Sequence, residues 1–157
     1  MNIVLIVVGK TADKYIEESI VDYVKRLSRY VKLDIVVIPD VRNAKNLSQE
    51  QLKEKESENI LTRLSPQDKV VLLDERGEQM GSEQFAGWLQ ENMNRGTRKL
   101  VFVIGGAYGF SQAMYERAVG KISLSKMTFS HQMVRLLFAE QLYRSFTILA
   151  GQPYHHK

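Results

Sequence analysis

The residues best suited to chemistry lie in the last third of the chain. His131 and Arg135 stand four apart at the start of an apolar helical stretch, so both sit on one face near its N-terminus. An imidazole can accept a proton near neutral pH, and a guanidinium can stabilise a developing negative charge. Just before them runs Ile122-Ser123-Leu124-Ser125-Lys126-Met127-Thr128-Phe129-Ser130, a strand end passing into a loop of hydroxyls with Met and Phe between. Apolar groups beside free backbone amides suit a flat purine with polar edges. Further upstream, the apolar run Leu100–Ile104 enters Gly105-Gly106-Ala107-Tyr108-Gly109. Glycine there lets the backbone approach a ligand closely. Plainer readings stand beside these: a tight turn, a Thr128 or Ser130 helix cap, and polar groups at a subunit interface.

Positioning such groups takes a framework, and the sequence alternates strand and helix patterns. Strands are read at Asn2–Val8, Lys32–Ile38, Lys69–Leu73, Lys99–Ile104 and Lys121–Leu124. Helices are read at Asp13–Tyr30, Ser48–Leu64, Ser82–Asn94, Ser111–Ala118 and His131–Ile148. Asp13 is a candidate N-cap, and Ser48 with Gln51 forms a candidate capping box. Alternation of this kind predicts an α/β fold: a single domain over residues 1–157, with a mostly parallel sheet covered by helices on both faces. In such sheets ligands bind beyond the carboxyl ends of the strands. The segments after Leu73, Ile104 and Leu124 are therefore the places to look. The last helix is apolar around more than one stripe, which suggests a subunit interface as well as a core face.

Charge narrows the partner. Residues 1–97 carry 14 Lys/Arg and 16 Asp/Glu, a balance of −2, whereas residues 98–157 carry 8 Lys/Arg and 2 Asp/Glu, a balance of +6. A basic half points to a polyanion such as nucleic acid, with Arg117, Lys121 and Lys126 as candidate phosphate contacts. Cysteine is absent, which excludes disulfides, thiolate metal sites and cysteine nucleophiles. His155 and His156 are adjacent and His131 is distant, so no metal site is expected. Gly9-Lys10-Thr11 follows a strand as a P-loop ending does, but Val4 stands where the required glycine would be. The apolar start reads as a buried strand rather than a signal peptide, no run is long enough to span a membrane, and a cytoplasmic location follows.

Taken together, several motifs carry a resemblance. They are Ile104-Gly105-Gly106-x-x-Gly109, Leu124-Ser125-x-Met127-Thr128-Phe129-x-His131, Arg135 with Glu140-Gln141-x-Tyr143-Arg144, and Pro153-Tyr154-His155. In this order and spacing they resemble the ribosomal large-subunit methyltransferase H family, of the SPOUT class of knotted methyltransferases. The likeness spans the whole chain, including the opening strand that ends in Val8-Gly9-Lys10. One departure is Ser130, where the family usually has proline; a serine can still cap the helix.

The resemblance implies a homodimer whose C-terminal part, about residues 100–157, is threaded into a trefoil knot that forms an S-adenosylmethionine site. It implies methylation of N3 of a pseudouridine in large-subunit ribosomal RNA, within the ribosome. Carried over residue by residue, cofactor contacts fall at Leu73, Gly105, Leu124, Ser125, Lys126, Met127, Thr128 and Phe129. Methyl transfer needs alignment and loss of a ring-nitrogen proton, without a metal. Arg135 is expected to stabilise the deprotonated base, with His131 or a partner's His155 as candidate base and Tyr154 closing the site. Two other functions fit the same fold: a SPOUT enzyme acting on transfer RNA, and a ribosome-binding module without catalysis.

Overall fold

The computed structural model describes residues 1–156; Lys157, the last basic residue of the chain, lies outside the described residues. Five strands form one sheet: β1 (Asn2–Val8), β2 (Leu33–Ile38), β3 (Lys69–Gln79), β4 (Lys99–Ile104) and β5 (Gly120–Ser123). Their order is β2-β1-β4-β3-β5, and every neighbouring pair is parallel. Five α-helices connect them: α1 (Lys14–Leu27), α2 (Gln49–Leu61), α3 (Ser82–Asn94), α4 (Gln112–Arg117) and α5 (His131–Leu149). The α/β architecture expected from the alternating pattern is the one observed.

The apolar run of β1 is buried because it is central, and its alternate side chains enter two different cores. Ile3, Leu5 and Val7 pack with Leu27, Phe85, Phe138 and Leu142 beneath α1, α3 and α5. Val4, Ile6 and Val8 pack on the other face with Ile60, Phe110 and Met114 from α2 and its surroundings. The caps read from sequence are present. Asp13 accepts from the N–H groups of Tyr15 and Ile16, and Ser48 and Gln51 form a reciprocal capping box. Ser130, rather than Thr128, caps α5 by accepting from the Met133 N–H. None of the 19 residues of α5 is fully exposed, as it packs against both α1 and α3.

β3 departs from its sequence-based bounds. It continues past Leu73 to Gln79 through a charged, exposed stretch that carries no strand pattern. Main-chain pairing explains this: Leu73 and Glu78 both pair with Ile122 of β5, so Asp74–Gly77 leave the ladder and the strand then returns to the same partner. Gly77 makes the return feasible. A Cβ at that position would lie 2.6 Å from the backbone nitrogen and carbon of Ile122.

Candidate active site

The carboxyl ends of β3, β4 and β5 border a cleft of about 710 Å³. Leu73 enters it from β3 and Gly105 from β4; Leu124, Ser125, Met127, Thr128 and Phe129 enter from the loop after β5. Lys126, the remaining member of that predicted set, is exposed on the same loop and is not part of the lining. The loop is held from within. Ser123 Oγ donates to the Ser125 carbonyl (2.9 Å), and Ser125 Oγ accepts from the Met127 N–H (2.9 Å). The hydroxyls thus fix the loop's shape and leave Met127 and Phe129 exposed by 75% and 41%.

The glycine turn on β4 is tight for a steric reason. Gly109 has φ +84° and donates its N–H to the Gly106 carbonyl at 3.1 Å. A Cβ on Gly105 would lie 3.1 Å from the Gly109 carbonyl oxygen, and one on Gly106 would lie 2.7 Å from Glu56 Oε1. Glu56 itself is 8% exposed, and its Oε1 has no hydrogen-bond partner among the described residues. Burial, helped by Asp40, pushes its carboxyl pKa upward.

Other lining residues were not foreseen in the sequence. Glu50 and Lys53 come from α2, and Asp74, Glu75 and Arg76 come from the excursion of β3. Tyr115 hydrogen-bonds Asp74, and burial with that bond raises its phenol pKa to about 12. The signal available for Glu50 and Lys53 was their i, i+3 spacing on one helix face, which by itself means only a solvated surface. The site therefore extends well upstream of residue 100.

The candidate chemical groups are divided between two places. His131 lines the cleft, and burial followed by the nearby Arg135 charge lowers its pKa from the usual histidine value. Arg135 lies on the same helix face but its guanidinium turns to the end of β1. It donates to the carbonyls of Val8 (2.7 Å) and Gly9 (2.9 Å) and to Thr11 Oγ1 (3.0 Å), and it is only 1% exposed. The guanidinium is thus hydrogen-bonded to the end of β1, and Arg135 is not among the residues that line the cleft.

Tyr154 and His155 also lie away from that cleft. Tyr154 donates to Glu140 (3.1 Å), meets Tyr23 hydroxyl to hydroxyl (3.3 Å), and lies under the Arg144 guanidinium. His155 Nδ1 is 3.1 Å from Arg144 Nη1. A guanidinium only donates, so Nδ1 accepts and the ring proton sits on Nε2, which faces Glu83 at 3.7 Å. Arg144 also pairs with Glu140, four residues earlier on α5.

Comparison with known proteins identifies the fold's lineage. The family model described as "Predicted SPOUT methyltransferase" matches residues 1–155. The chain belongs to the SPOUT methyltransferase family. Among similar SPOUT proteins, the Ribosomal RNA large subunit methyltransferase H of Flavobacterium johnsoniae is 59% identical over 157 residues, covering 100% of both chains. The proteins of that name from Porphyromonas gingivalis and Bacteroides thetaiotaomicron are 55% and 52% identical, again over 100% of both chains. A solved structure described as a probable methyltransferase from Bordetella pertussis Tohama I superposes with a TM-score of 0.57 at 11% identity, covering 92% of this chain and 94% of that one. That likeness concerns the SPOUT fold alone.

Proposed function

We propose that this SPOUT methyltransferase, one domain over residues 1–157, transfers a methyl group to N3 of a pseudouridine in large-subunit ribosomal RNA. In this reading S-adenosylmethionine is the donor, the enzyme is a cytoplasmic homodimer, and the RNA is met within the ribosome. The observation that carries the reading is full-length identity of 52–59% to relatives named for ribosomal RNA large-subunit methylation.

The cleft fits the proposed donor. Gly105 leaves a backbone-lined cradle that a Cβ would fill against Gly109, beside the strand end at Leu73. The Leu124–Phe129 loop adds apolar surface and a hydroxyl from Thr128. Leu73, Gly105, Leu124, Ser125, Met127, Thr128 and Phe129 would hold the donor, with Lys126 available at the exposed side. When bound, S-adenosylmethionine supplies an electrophilic methyl on a sulfonium.

His131 is the candidate that would remove the ring-nitrogen proton. Its lowered pKa keeps the imidazole neutral and able to accept at physiological pH. Arg135 would act indirectly, by fastening α5 to the end of β1 so that His131 stays at the cleft. Tyr154 and His155 would serve the other subunit. Their anchor at Arg144 lies thirteen residues along α5 from His131, roughly 20 Å at 1.5 Å per residue. The half-covered apolar residues of α5, among them Leu136 and Leu137, support a subunit contact along this helix. The trefoil threading belongs to the same reading.

Nucleoside mass spectrometry of ribosomal RNA from a deletion strain tests reaction and substrate together. Loss of one methylated pseudouridine from the large-subunit RNA is the expected result. An unchanged ribosomal RNA with a missing transfer RNA methyl would overturn it. Calorimetry with S-adenosylmethionine separates the enzyme from a binding module, because a module without catalysis would take up no donor. Equal activity on a short free stem-loop would remove the requirement for the ribosome.

A further inference from the structure

Among the described residues seven large apolar or aromatic side chains are strongly exposed, and three of them, Tyr108, Met127 and Phe129, border the cleft described above. Met127 and Phe129 belong to the loop assigned above to the methyl donor. Tyr108 has no such assignment. It is 48% exposed, and its hydroxyl has no hydrogen-bond partner among the described residues. We propose that Tyr108 is a stacking platform for an unpaired nucleobase of the RNA substrate, a specificity-determining contact at the rim of the active site.

Three features of the fold argue for this. First, the backbone beneath the ring is fixed. Gly106 and Gly109 form an antiparallel bridge, and the Gly109 N–H closes the turn onto the Gly106 carbonyl at 3.1 Å. Phe110, the residue just beyond, is buried in the second core and meets Tyr115 edge-on at 6.0 Å. An exposed ring on a rigid turn loses little conformational entropy when a ligand covers it.

Second, topology puts Tyr108 at the rim. β4 and β5 flank β3, so the turn after β4 and the loop after β5 stand on two sides of Leu73. Gly105, at the strand end, is half-buried, while Tyr108 three residues later is exposed. The donor is assigned to the strand ends and the β5 loop, which leaves the outer aromatic surface for the acceptor.

Third, the reaction needs such a surface. Methylation on a ring nitrogen requires the base to leave its stack, and the lost stacking has to be replaced. Aromatic side chains replace it without regard to sequence, because every base offers a π-face. Exposed Lys126 on the neighbouring loop can hold the adjoining phosphate.

This inference rests on the functional reading above, and the test keeps the two apart. Tyr108→Ala, Tyr108→Phe and Tyr108→Trp are compared with the parent dimer in three measurements: KM and kcat for ribosomes lacking the modification, the Kd for S-adenosylmethionine by calorimetry, and the Kd for large-subunit ribosomal RNA by filter binding. Tyr108→Ala is expected to raise KM and the RNA Kd about tenfold, equivalent to 1.4 kcal/mol, with donor affinity and kcat at saturation unchanged. The Phe and Trp variants should match the parent, since the ring and not the hydroxyl does the stacking. An unchanged RNA Kd in Tyr108→Ala overturns the proposal. So does a parallel loss of donor affinity, which would put the ring on the cofactor, or dissociation to monomers, which would put it against a second copy of the chain. If the parent takes up no donor or leaves ribosomal RNA unmethylated, the functional reading fails; the RNA-binding comparison still decides the role of Tyr108.

Discussion

All five strands point the same way, yet their carboxyl ends have two fates. The end of β1 is plugged: Arg135 takes the carbonyls of Val8 and Gly9, and Gln132 accepts from the Ala12 N–H and donates to the Lys10 carbonyl. The ends of β3, β4 and β5 stay open as the cleft. Both are built by the first turns of α5, which sends His131 one way and Gln132 and Arg135 the other. A parallel sheet offers several equivalent binding edges. The side chains that arrive from elsewhere decide which edge becomes a site.

Breaking the plug should give the largest effect on stability. Arg135→Met removes three hydrogen bonds to Gly9, Thr11 and Val8 and leaves buried polar groups without donors. A cost of about 3–5 kcal/mol in urea-induced unfolding is expected. Arg135→Lys should recover only part of it, because one ammonium cannot reproduce a planar fork on two carbonyls. Donor affinity measured in the folded fraction should stay near the parent value. If Arg135→Met instead leaves stability intact and abolishes transfer, the arginine belongs to the chemistry after all.

The cleft side should respond in rate rather than in stability. His131→Ala should slow single-turnover methyl transfer by about 10²–10⁴-fold, as expected for removal of a general base, with donor binding retained. Burial lowers the His131 pKa, so the neutral, proton-accepting form persists below the usual histidine range. The rate should therefore be flat through neutral pH and fall only in more acidic solution. A profile that falls at or above pH 6.5, the unperturbed histidine value, would assign the base elsewhere.

The excursion that widens the cleft has its own weak point. Gly77→Ala forces a Cβ to within 2.6 Å of Ile122 backbone, where no side-chain rearrangement can relieve it. A loss of about 2–3 kcal/mol in thermal unfolding is expected, in line with overpacking elsewhere. Donor affinity should fall with it, because Leu73 and Asp74 lead into the same excursion. Unchanged stability would show that β3 and β5 slide past one another freely.

These residues mark how far a sequence can be read. The strands and helices were legible because β1 and β4 are buried runs and α1 has one apolar face. The three strand ends of the cleft were legible from sheet geometry together with the glycine turn and the Ser125–Phe129 loop. The extension of β3 was not, because only Glu78 and Gln79 of that stretch rejoin β5, through the main chain, and Asp74–Gln79 carry the polar composition of a loop. The fate of Arg135 was also hidden. Spacing gives the face of a helix, but a long side chain can then turn to either of two neighbours, and only the position of the Val8 and Gly9 carbonyls chooses between them.

Beneath the glycine turn, Glu56 should show a smaller effect of opposite sign. Its folded-state pKa is raised, so the unfolded chain loses this proton first as pH rises. Stability is therefore present in acid and is lost as pH climbs from the unfolded value toward the folded one. Glu56→Gln keeps the shape and removes the ionisation, and should flatten the fall in stability that urea unfolding shows as pH climbs above the ordinary glutamate range. A destabilised Glu56→Gln would mean that the carboxylate has a charged partner near Gly106 in solution.

The smallest effect is expected where plug and cleft meet, at Ser130. Its φ of −59° already suits proline. Ser130→Pro narrows the unfolded ensemble, a gain of about 0.4–1 kcal/mol. It also deletes the Oγ cap on the Met133 N–H, a loss of about 0.5–2 kcal/mol. The two nearly cancel, so the urea midpoint should move little and the transfer rate less than about twofold. A much faster rate in Ser130→Pro would mean that a stiffer junction before His131 orients the imidazole better, and that the serine chain gives up catalytic precision for its helix cap.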